Sequence, residues 1–192
     1  MKLTIKQDVS EILEIKKSKF IGYAFFCADV DEANKYLESV RLEHKKATHV
    51  CYAYVVNSNE KASDDGEPQG TAGIPILEII KKRKLTNVLV IVVRYFGGIK
   101  LGAGGLVRAY GESAGLALNS AATTNLIEAT QFSVSLNYGE EGVLNTIKNT
   151  EGVYDLKFEY SDKINITFLA NTELEVLNGL NVLKGETKLV RV

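Results

Sequence analysis

Four groups of residues in this sequence are of types, and at spacings, that could do chemistry. The first is Arg94 to Tyr110, RYFGGIKLGAGGLVRAY, with glycines at 97, 98, 102, 104 and 105. A strand, a glycine-rich turn and a helix in that order form the setting in which backbone N–H groups and a helix N-terminus bind phosphate. The dinucleotide and P-loop spacings both fail. Val107 stands where the third glycine of GxGxxG is required, and Ala103 where a P-loop needs lysine. Two readings therefore stay open. Gly97, Gly98, Gly102, Gly104 and Gly105 either cradle an anion beside Arg94, Lys100 and Arg108, or permit tight turns and close helix–sheet contact.

The second group is the acidic run Asp64, Asp65 and Glu67, followed by the small residues of Gln69-Gly70-Thr71-Ala72-Gly73. Such carboxylates serve acid–base catalysis or Mg²⁺ binding, or else solvate an exposed turn. The third is His49, which reads as a hydrogen-bonding strand residue or a general base. No GxSxG elbow holds a nucleophile for it, so an enzyme is not indicated. The fourth is Lys81, Lys82, Arg83 and Lys84 at the end of an expected helix, where cations complement the dipole. With Arg94, Lys100, Arg108 and the KKSK step at 16–19 they could also build a basic face for RNA, with Tyr23, Tyr52, Tyr54 and Tyr95 to stack on bases.

The elements that must position these groups follow from periodicity. Residues 11–27 read as strands about a turn at KKSK, and 31–46 as a helix capped near Asp29. THVCYAYVV is a strand, and NSNEKASDDGEPQGTAG an exposed loop. A helix is expected over 74–84, a strand buried on both faces over 88–95, and a helix over 106–118 whose Gly111 and Gly115 imply close packing. Beyond residue 128 the pattern becomes strand, helix, strand, strand, short helix, strand, which is the ferredoxin-like order. The fold class is α+β in two domains, 1–128 and 129–192.

Bulk properties narrow the function. The chain of 192 residues has a net charge of −1, so no global field draws it to nucleic acid or membrane. Cations are in slight excess before residue 129 and carboxylates after it. Cys27 and Cys51 lie in apolar stretches without metal-ligand spacing, so neither a metal nor a cofactor is expected. The N-terminus lacks a secretory h-region and VLVIVV is too short to span a bilayer, which points to the cytoplasm and away from membranes.

Taken together, IKKSKFIGY, ATHVCYAYVV, SDDGEPQGTAGIPIL and VVRYFGGIKLGAGGLVRAY resemble the IMPACT, or YigZ, family over residues 1 to about 128. Residues 129–192 resemble the elongation-factor-like C-terminal domain of its bacterial members. The resemblance implies an N-terminal α/β sandwich similar to a ribosomal-protein domain. It also implies a link to translation, since eukaryotic relatives restrain a starvation-responsive kinase of an initiation factor. The expected function is a non-enzymatic, translation-associated regulatory protein contacting RNA, the ribosome or a translation factor. The rival expectation is an enzyme acting on a phosphorylated small molecule or nucleotide. A proline-dipeptidase label given to some relatives finds no dinuclear-metal ligand set here.

Overall fold

The computed structural model describes residues 2–192, which separate into two units: 2–125 with 191, and 126–190 with 192. In the first, β1 (Lys2–Ile5) precedes the hairpin of β2 (Val9–Ile15) and β3 (Ser18–Phe26). The register Ile15↔Ser18 leaves a two-residue turn, and both its residues, Lys16 and Lys17, have positive φ (47° and 63°). That is the backbone a tight hairpin demands, here adopted by two lysines.

Helix α1 (Val30–Glu43) starts where Asp29 accepts the Glu32 N–H at 2.8 Å. Next come β4 (His49–Val56), β5 (Asn59–Ser63), α2 (Gly73–Lys82), β6 (Val88–Tyr95) and α3 (Ala103–Ser120). The sheet order is β2-β3-β6-β4-β5, antiparallel throughout, with β6 in the centre. Alternation along β6 sends Val88, Val90 and Val92 into the core beneath α2 and α3. Leu89, Ile91 and Val93 face the other core, under α1. Arg94 comes next on the α2/α3 side. The same parity that buries three valines buries this arginine.

Two expectations are corrected. The segment after β4 is an exposed loop only in part: it supplies edge strand β5, and Glu67, Thr71 and Ala72 beyond it are buried. The close packing of α3 does not come from its own glycines. A Cβ on Gly111 would meet nothing within 4 Å and one on Gly115 only ordinary contact, whereas one on Gly22 of β3 would lie 2.7 Å from the Ser113 carbonyl oxygen. The sheet, not the helix, yields the space.

The second unit holds most of β7 (Thr123–Leu136), α4 (Glu141–Asn149), β8 (Val153–Tyr160), β9 (Ile164–Ala170) and all but the last residue of β10 (Val182–Arg191). β7 pairs with β9, β9 with β8, and β10 lies on the other side of β7. Val134, Leu136, Leu144, Ile147, Ile164, Ile166 and Phe168 form its core. The short helix expected over LEVLNGL is only a 3-10 turn, Glu175–Leu177. With no buried residue of its own, it has no face to extend it. The fold is mixed α/β, and no helix among the described residues is long and apolar enough to cross a membrane.

Candidate functional site

Glu67 and Arg94 meet inside the first unit. Arg94 Nη1 donates to Glu67 Oε1 at 2.6 Å, and the Tyr110 hydroxyl donates to the same oxygen at 2.8 Å. The two ionic side chains are 6% and 4% exposed, so this is a buried pair whose charges depend on each other. The guanidinium lies over Phe20 and Phe96, 5.5 and 5.4 Å from their ring centroids. Its Nε is buried and has no hydrogen-bond partner among the described residues. Burial raises the Tyr110 phenol, which stays protonated as a donor, and pushes the neighbouring Cys51 thiol up to about 12.

The acidic residues divide by role. Asp64 accepts the N–H groups of Gly70, Ala72 and Gly73 at 2.8, 3.0 and 2.8 Å, closing the start of α2. Burial opposes its charge, yet these three donors hold the carboxyl below the usual range. Asp65 accepts from the Val50 N–H at 2.7 Å and pairs with Arg41 at 3.1 Å. The Asp65 carbonyl faces His49 Nδ1 at 2.8 Å. A carbonyl can only accept, so Nδ1 carries the proton. His49 Nε2 then points toward Glu67 Oε2, 3.8 Å away.

The glycine stretch closes the other side. Gly97 lies against the β2–β3 hairpin, where a Cβ would collide with the Lys17 backbone. Its N–H donates to Ser18 Oγ at 3.1 Å, and that of Phe96 to Thr48 Oγ1 at 3.0 Å. Gly98 and Gly102 have φ of 84° and 73°, a conformation that glycine adopts without strain. Gly104 and Gly105 are already helical. Between the two segments lies a cleft of about 450 Å³, bounded by His49, Glu67, Pro68, Arg94, Lys100 and Leu101, with the first residues of α3 at its end. Glu67 of the acidic run thus shares one cleft with the glycine stretch, whereas Asp64 and Asp65 do not line it.

Not every expected binding residue reaches it. Lys100 does, and Arg108 is exposed on α3 near its start. Arg94 reaches it as a buried ion-paired group rather than a free surface charge. Residues 81–84 do not: Arg83 donates to the Gly115 carbonyl and to Asn119 at 3.1 and 2.7 Å. That places the cluster beside the far end of α3, roughly 25 Å from its start by helical rise. Lys81 pairs with Glu60 at 2.8 Å. Tyr52 and Tyr54 are core residues, and the Tyr23 and Tyr95 hydroxyls are held by His44 at 2.6 and 2.8 Å, so these tyrosines form no open stacking row. The exposed aromatic beside the cleft is Phe96, 47% accessible. Sequence reading passed over Phe96 and Tyr110. Tyr110 could have been found from its place on the inward row of α3, one turn beyond Leu106.

The Impact N-terminal domain matches residues 16–118. The chain belongs to the IMPACT family. The IMPACT family member YvyE of Bacillus subtilis is 48% identical over 119 residues, which are 60% of this chain and 55% of that protein. The IMPACT family member YigZ of Escherichia coli is 40% identical over 135 residues, covering 68% of this chain and 66% of its own length. This chain therefore aligns with less than two thirds of these relatives. A solved structure described as a hypothetical protein matches with a TM-score of 0.65 and 30% identity, covering 94% of this chain and 95% of that one. The IMPACT match spans both segments of the cleft, from the KKSK turn through α3.

Proposed function

We propose that this IMPACT family chain is a translation-associated binding protein whose first unit contacts RNA through the rim of the cleft. The observation that carries this is the seating of Gly97 against the Lys17 backbone. It brings Lys16 and Lys17 of the hairpin to the same edge as the exposed Phe96, Ile99 and Lys100. Cations beside an exposed aromatic suit a single-stranded backbone with a base stacked on the ring. The network of Arg94, Glu67 and Tyr110 lies behind that edge and supports it. In the second unit, the order β10-β7-β9-β8 fits a ferredoxin-like domain with its second helix reduced to a turn, and it would add a further contact. Support for the translation link comes from family membership.

Fluorescence anisotropy of a short 5′-hydroxyl oligoribonucleotide against salt tests this. Binding that weakens with salt, with the log–log slope reduced by about 1–2 in a K16A/K17A variant, is expected. No binding at low ionic strength would overturn it. A second reading, an enzyme acting on a phosphorylated small molecule, is favoured by the orientation of His49 Nε2 toward Glu67. Turnover of a phosphoester that H49A abolishes would carry that reading instead.

A further inference from the structure

The geometry points to a phosphate-binding site in the floor of the cleft, at the N-terminus of α3, specific for the terminal phosphate of a phosphomonoester.

Three independent features converge there. The first is the helix end. α3 runs 18 residues, begins after Gly102 with no side-chain cap, and carries no acidic residue in its first turn. The first bond into the helix is from the Leu106 N–H to the Gly102 carbonyl at 2.9 Å. The N–H groups of Ala103, Gly104 and Gly105 precede it and point out of the helix end. A Cβ built on Gly98, Gly102 or Gly104 would meet nothing within 4 Å, so an oxyanion can come up to the backbone. Aligned N–H donors and the positive end of the dipole favour a doubly charged group.

The second is Arg94. Its side chain is 6% exposed, lines the same cleft, and has a buried Nε–H without a partner. Buried donors of this kind are rare because each costs the loss of its hydration. Glu67 engages Nη1 alone, which leaves the edge shared by Nε and Nη2, the edge that grips an oxyanion through two parallel bonds. Glu67 does not repel such a ligand strongly, since its Oε1 is already bound by Arg94 and Tyr110.

The third is the shape and charge of the walls. Lys100 supplies an exposed cation at the mouth, and Pro68, Phe96, Leu101 and Leu106 make the remaining surface largely apolar. A volume of about 450 Å³ exceeds what a bare phosphate fills and leaves room for an organic body against Phe96. The same chemistry has two sources, the 5′-phosphate end of an RNA strand or a free phosphorylated small molecule. The site does not depend on RNA reading by the rim.

Calorimetric titration of the full chain with inorganic phosphate, followed by amide NMR, tests it. Saturable binding with a Kd of about 1 mM or tighter is expected, with the largest shifts at Ala103, Gly104 and Gly105. K100A should weaken it about tenfold, one charge-assisted bond. G104D places a carboxylate at the helix start in open space, so it should abolish phosphate binding while the chain stays folded with an equal or higher Tm. K16A/K17A should leave phosphate binding unchanged, which separates this site from the RNA rim. A 5′-phosphorylated oligonucleotide that binds at least tenfold tighter than its 5′-hydroxyl form identifies an RNA end as the source. AMP binding tighter than inorganic phosphate, without that preference, identifies a small molecule. Absence of saturable phosphate binding, or binding that G104D leaves intact, overturns the proposal.

Discussion

The acidic run at 64–73 and the glycine stretch at 94–105 look alike as sequence: both are short, rich in small residues and bracketed by regular elements. Their polar groups meet opposite fates. In the acidic run nearly every carboxylate oxygen has a protein partner: Asp64 closes α2, Asp65 holds Val50 and Arg41, and Glu67 receives Arg94 and Tyr110. The glycine stretch instead ends in a helix start without a side-chain cap, next to an unpartnered Nε on Arg94. Charge density alone therefore does not locate the unpartnered donors. The run with the most charges is the scaffold, and the run with the fewest side chains offers the donors.

Substitutions can break that contrast, beginning with the largest effect. R94M leaves the Glu67 carboxylate buried and uncompensated, and should cost about 3–5 kcal/mol in chemical denaturation. E67Q combined with R94M should recover part of the loss, because the stranded charge is gone. If R94M costs no more than a surface substitution, the scaffold role of the acidic run fails. Next is G97A, whose Cβ collides with the Lys17 backbone. Separation of the hairpin from the glycine stretch should cost about 1–3 kcal/mol and weaken RNA binding together with stability.

D64A removes the acceptor for three N–H groups at the start of α2, and about 1–2 kcal/mol of stability should go with it. The sign with pH follows from the depressed carboxyl. Its contribution is complete above the unfolded carboxylate value of about 3.9 and is lost as pH falls through the lower folded value. Denaturation midpoints measured from neutral to acid pH should thus fall less steeply in D64N than in the parent chain. The smallest effect is of opposite sign. G111A fills open space on a helix interior and should raise stability by about 0.5–1 kcal/mol. A loss there would mean that Gly111 is packed after all.

Much of the secondary structure was legible because it rests on local patterns. The apolar run at 88–95 and the Asp29 cap mark a central strand and a helix start without reference to any distant residue. The 3-10 turn at 175–177 and the burial of Glu67, Thr71 and Ala72 were not, since each depends on what packs against it. The site was legible in part. Lys100, His49, Glu67 and the glycines stood out by type, whereas Phe96 and Tyr110 look like ordinary core aromatics.

By itself, the sequence determined the family, the order of most elements and a set of candidate site residues, all properties of residue type and near-neighbour spacing. Only the tertiary structure decided which of those residues meet. Parity along β6 turned Arg94 inward, a loop 27 residues earlier in the chain returned Glu67 to neutralise it, and the length of α3 carried the 81–84 cluster away from the cleft. These are long-range outcomes. Burying an arginine requires a counter-charge, and where the chain finds one depends on packing that no local pattern records.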